Sequence, residues 1–174
     1  MKMKRNIALL AILAIALTLM GAGFAEAVTS QQTLTMGATI SSTAVLSITA
    51  TTITFANGTP GTPTNAAENG TVVTAVLRTG SATPATLYVL PTDLTDGTPA
   101  DTIAASDISS TATNTAGTFF IAGPVQWTKT GQGALVGTGQ SGSFAGTFSW
   151  TLANSFTYAT GAYAGSAVYT LTAP

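Results

Sequence analysis

Along most of the chain, apolar and polar residues alternate one for one. The stretch "TLTMGATI" (33–40) places Leu34, Met36, Ala38 and Ile40 on one face, and "AVLSITA" (44–50) continues with Ala44, Leu46 and Ile48. A period of two sends successive side chains to opposite faces of an extended strand, so both stretches are predicted strands. The same reading predicts strands in "TTITF" (51–55), "TVVTAVLRT" (71–79), "ATLYVL" (85–90), "GTFFIA" (117–122), "VQWTKT" (125–130), "SFAGTFSWTL" (143–152) and "SAVYTLTA" (166–173). No stretch after Ala27 carries a helical period. The intervening pieces, among them "PTDLTDGTPAD" and "TGQGALVGTGQSG", hold the Gly, Pro, Asn and Asp that bends require. About eight or nine short antiparallel strands separated by such turns predict an all-β fold, a β-sandwich.

The N-terminus breaks the pattern. Lys2, Lys4 and Arg5 precede an apolar run from Ile7 to Met20, interrupted only by Thr18, and "AEA" at 25–27 has small residues flanking a cleavage position. This order predicts a signal peptide over 1–27, removed after Ala27, and a single sandwich domain over 28–174. The alternative is a retained anchor, since Ile7 to Ala25 is about long enough to span a bilayer. Cleavage predicts a secreted protein, extracellular or at the cell surface, with no further membrane segment.

Composition then narrows the chemistry. Charged residues make up 6% of the 174 residues, and there is neither Cys nor His. An ordinary domain carries about 25% charged residues. Beyond Ala27 only Arg78 and Lys129 stand against Glu68, Asp93, Asp96, Asp101 and Asp107, a formal net charge of −3. Nucleic acid is excluded as a partner, because it requires clustered Lys and Arg to replace phosphate counterions. Charge-driven binding to an acidic membrane is excluded likewise. With no disulfide available, stability must come from sheet packing.

Several segments resemble known secreted domains. "SITATTITFANGTPGTP", "LYVLPTDLTDG" and "GAYAGSAVYTLTAP" are similar to the strand-and-loop patterns of Ig-like surface proteins: spore coat protein U, fimbrial-type proteins and cell-wall WxL domains. Trp150 and Leu152 form one Trp-x-Leu, and Tyr169 and Leu171 stand where a second would be. The resemblance implies an Ig-like β-sandwich at a cell surface. The chain departs from the coat-protein pattern in lacking Cys and from the WxL pattern in having Tyr169, so neither chaperone-and-usher assembly nor wall binding carries over.

Candidate chemistry is sparse. Glycosidase-type catalysis needs two carboxylates across a cleft, about 5 to 10 Å apart. Asp93, Asp96 and Asp101 share one short loop, which builds no such cleft, so the chain is predicted not to be an enzyme and to need no cofactor. The same three carboxylates are a weak calcium candidate, although their spacing matches no EF-hand and a solvated turn is the simpler reading. Trp127 and Trp150 are candidate stacking platforms for sugar rings of a cell-wall glycan, but they alternate with polar residues as core positions do. "NGT" at Asn57 and Asn69 gives two formal glycosylation sequons. Lys129, the only lysine after Ala27, has Asn154 as a conceivable cross-linking partner.

The expected function is structural. Sheet edges are normally guarded by charge, and here Arg78 and Lys129 are the only charges within the predicted strands. Unguarded edges suit strand addition between subunits. Leu34, Met36, Ala38 and Ile40 form the candidate assembly strand, able to pair in its own domain or in a neighbour's. The expected partners are further copies or other cell-surface proteins, and the alternative is a carbohydrate-binding surface module.

Overall fold

The computed structural model describes residues 32, 34–80, 82–97 and 101–174. The predicted signal peptide lies outside the described residues. Contacts divide the chain into two units, Met1–Ala38 and Thr39–Pro174. In the first, Leu34 to Ala38 is irregular and exposed. The second holds every described strand and is all-β, as the alternation predicts.

Among the described residues eleven strands form antiparallel sheets: β1 (Thr43–Ile48), β2 (Thr64–Asn65), β3 (Thr71–Arg78), β4 (Ala85–Pro91), β5 (Leu94–Thr95), β6 (Thr102–Ile103), β7 (Ile108–Ala116), β8 (Gly123–Gln126), β9 (Ala134–Gly139), β10 (Gly142–Leu152) and β11 (Ala167–Thr172). One sheet runs β1-β3-β10-β7-β8, with β2 paired to the end of β10. The second runs β11-β4-β9, and β5 and β6 form a small separate pair. A 3-10 turn, Ala105–Asp107, leads into β7.

Alternation sets the faces. In β3, Val73, Ala75 and Leu77 are buried while Val72, Val76 and Arg78 are exposed. In β10, Phe148, Trp150 and Leu152 point inward, and in β4 Ala85, Leu87 and Val89 do so from the other sheet. Four aromatic contacts run through this core, from Phe144 stacked on Phe119 (5.2 Å), through Phe120 and Phe148, to Trp150. Such offset and edge-on ring pairs are favourable beyond the area they bury.

Two of the longer strands hide in stretches that read as polar or turn-rich, as do the two-residue β2 and β5. β7, "ISSTATNTA", is mostly Ser and Thr, yet it lies beside β10 with Ser110 opposite Trp150 and Ala112 opposite Phe148. Small side chains are needed there because their neighbours are large. β9 contains Gly137, where an added Cβ would lie 2.7 Å from the Phe119 ring. That glycine marks close approach of a ring, not a bend.

Other expectations shift. Among the described residues no strand forms over 34–40 or 51–55, and only an isolated bridge joins Phe55 to Ala66. An apolar alternation becomes a strand only where a second edge accepts its backbone groups, and no described residue does so for 34–40. Over 117–122 the chain instead crosses between sheets. Ile121 N–H donates to Val136 O and Thr138 N–H to Phe119 O, while the Asn114 amide both donates to Phe120 O (2.8 Å) and accepts from Phe120 N–H (3.0 Å). This crossing laces the β8–β9 side of the sandwich shut.

Candidate interaction site between two sheet edges

The opposite side is built differently. β1 pairs only with β3, and β11 only with β4, so each leaves one backbone edge unpaired by any described strand. Neither strand contains a charged residue. The two edges are pinned together at one end, where Pro174 O accepts from Gly80 N–H (3.0 Å) and from the Ser42 hydroxyl (3.0 Å). Away from that latch they enclose a groove of about 750 Å³.

The groove reaches the core. Leu46, Ile48, Ile53 and Phe55 line one wall, Leu94 and Ala167 the other, and Ile108, Trp127, Trp150 and Tyr169 contribute as well. Its lining includes no charged residue. The polar groups of the large residues are already satisfied: Trp150 Nε1–H donates to the Tyr169 hydroxyl (3.2 Å), linking the two sheets, and Trp127 Nε1–H donates to Ser110 Oγ (3.1 Å). Both tryptophans are buried, at 1% and 4% exposure, so their ring faces belong to the core and offer no exposed stacking platform.

Burial pushes the Tyr169 phenol up to about 12, against a smaller lowering from the Trp150 N–H. Tyr158 is also raised to about 12, first by burial and then by the hydrogen bond from its hydroxyl to the Asp107 carboxylate (2.7 Å). A phenol whose folded pKa exceeds its unfolded value stabilises the fold fully below the unfolded pKa, and that contribution is lost as pH rises through the folded one. Thermal stability should therefore hold up to about pH 9 and fall between about pH 10 and 12. In a spectrophotometric titration, Tyr158 and Tyr169 should ionise late and together with unfolding. Ionisation of Tyr169 at the ordinary phenol pH in the folded protein would contradict its burial.

The acidic loop is divided among separate tasks. Asp93 forms an ion pair with Lys129 and accepts from Ala105 N–H (2.9 Å), and Lys129 is the main cause of its lowered pKa. Asp96 and Asp101 both act on Tyr163, raising its phenol after the larger effect of desolvation. Among the described residues no three acidic side chains come together as a metal-binding group. Lys129 thus has Asp93 as its partner, whereas Asn154, the one described non-glycine residue with positive φ, donates to Thr59 O and Thr64 Oγ1. Both sequon asparagines are exposed, but Asn69 Oδ1 accepts from Trp150 N–H (2.7 Å) and so helps hold β10. Among the described residues, no helix is long and apolar enough to cross a membrane.

Comparison with protein-family models and with curated proteins finds no match to this chain. The groove is the feature that strand-by-strand reading missed. Its residues were legible singly as inward positions, and the absence of charge from both β1 and β11 was the available signal.

Proposed function

We propose that this chain is an exported, non-catalytic structural subunit of a cell-surface layer, coat or extracellular fibre, whose copies join by strand addition. The observation that carries this reading is the pair of unguarded edges, β1 and β11, flanking an apolar groove. Soluble sandwiches ordinarily protect such edges with charge, bulges or covering loops. An edge that recruits a strand instead gains backbone hydrogen bonds along its length, with side-chain pockets setting the register. Export rests on the basic, apolar and small-x-small order of residues 2–27. The non-catalytic reading is supported by a groove without acid or base apart from a phenol held un-ionised, and by Asp93 being paired with Lys129.

The carbohydrate-binding alternative has less support, since both indoles are buried and their N–H groups are used internally. Electron microscopy of the protein purified with its natural N-terminal processing, beside images of the producing cell's surface, tests the proposal. Filaments or sheets of regular repeat are expected. A protein that stays monomeric at high concentration would remove the assembly reading.

A further inference from the structure

We infer that Asn57 is a site of self-modification, at which the backbone nitrogen of Gly58 displaces the side-chain amide nitrogen as ammonia and the residue becomes aspartate or isoaspartate. Asn57 and Asn69 are each followed by Gly-Thr, and no other asparagine in the chain precedes a glycine. Glycine suits the reaction because it places no Cβ beside the attacking nitrogen and lets the peptide turn freely. Gly58 N loses its proton and bonds to Asn57 Cγ, ammonia leaves, and a five-membered succinimide closes. Water then opens the ring. Addition at Cγ restores the original backbone with aspartate, whereas addition at the main-chain carbonyl leaves the backbone running through Cγ as isoaspartate. One water is taken up and one ammonia released, with no change of oxidation state.

The fold separates the two sites. Asn69 and Gly70 are both bound to β10: Gly70 N–H donates to Phe148 O (2.8 Å), and Asn69 Oδ1 accepts from Trp150 N–H (2.7 Å). Ring closure there must free the nucleophile and the side chain together, and each hydrogen bond lowers the population of that open state. Asn57 is exposed, and among the described residues neither its side-chain amide nor Gly58 N–H has a hydrogen-bond partner. Its loop is anchored from Thr59 onward, where Asn154 Nδ2–H donates to Thr59 O (3.0 Å) and Gly61 N–H donates to Asn154 O (2.7 Å). The reacting pair lies just before those anchors. Its product puts a carboxylate two residues after Phe55, which lines the groove, and takes the formal charge beyond Ala27 from −3 to −4.

Because both asparagines are followed by the same two residues, the unfolded chain is an internal control. The protein purified with its natural N-terminal processing is incubated in mildly alkaline buffer, once folded and once in denaturant, and the peptides carrying each site are followed by mass spectrometry. In the folded protein Asn57 should convert at least about tenfold faster than Asn69, and in denaturant the two rates should converge. Equal rates in the folded protein, or an Asn57 peptide that keeps its amide, overturn the inference. A ratio as large in denaturant assigns the difference to the preceding residues, Ala56 and Glu68, and overturns the structural cause. Independently, Asn57→Gln, whose longer side chain requires a six-membered ring, should abolish the acidic shift of the ageing folded protein on isoelectric focusing. An undiminished shift places the modification elsewhere and is the contrary result.

Discussion

A chain ending at Ala164 should fail to fold. The cut removes β11, and with it Tyr169 and Leu171, which pack against the core from the second sheet. Truncating two large, partly buried side chains costs up to about 2–5 kcal/mol each before any backbone effect is counted. The backbone groups of β4 that pair with Ala167–Thr172 also lose their partners, and the second sheet is reduced to β4 and β9. A two-stranded sheet is at best marginally stable alone. The sum is comparable with the whole stability of a typical domain, about 5–15 kcal/mol. Circular dichroism and calorimetry should show no cooperative transition. A cooperative melt within about 10 °C of the intact protein, a shift of only a few kcal/mol, would show that β11 is an accessory strand.

Trp150→Ala is the point substitution expected to cost most. The side chain is buried in mid-core, with Phe148 on its own strand at 6.3 Å between ring centres and Ser110 opposite on β7. Removing a buried indole costs about 3–5 kcal/mol, partly through the cavity it leaves. Loss of the Nε1–H donor also breaks the direct link to the Tyr169 hydroxyl across the sheets. For a domain of this size the melting temperature should fall by about 10–20 °C. Trp150→Phe should recover part of the loss by filling volume without restoring the donor. A shift below about 3 °C for the alanine variant would place the indole outside the cooperative core.

How far these elements could be read in advance depended on how their neighbours distribute volume. β3, β4, β10 and β11 carry their own large inward residues, so period-two alternation identifies them directly. β7 and β9 do not: Ser110, Ala112 and Gly137 are small because Trp150, Phe148 and Phe119 occupy the space beside them. That information resides in other segments of the chain. Residues 34–40 fail in the opposite sense, with a full alternation but no partner edge in the described structure. The acidic loop read as a turn, whereas neither its short strand β5 nor the pairing of Asp93 with Lys129, 36 residues away in sequence, was recognisable. The core positions of Trp127 and Trp150 were anticipated from alternation. The groove required knowing which two strands become edges, which is a property of topology.

The outward face of the larger sheet has a consequence of its own. Over β10 and β7 it presents Thr147, Ser149 and Thr151 beside Thr113, Thr111 and Ser109, so this part of the face is hydrated by hydroxyls, while β3 presents Val72, Val76 and one ion, Arg78. Hydroxyls hold a first shell of water without generating a field that extends into solution. Together with a formal charge of only −3 beyond Ala27, this leaves little Coulomb repulsion between neighbouring copies even in dilute salt, where screening is weakest. In the proposed assembly, crowding of these domains would be limited by their steric size and by the water bound to their hydroxyls, and the packing density would change little between fresh water and brine.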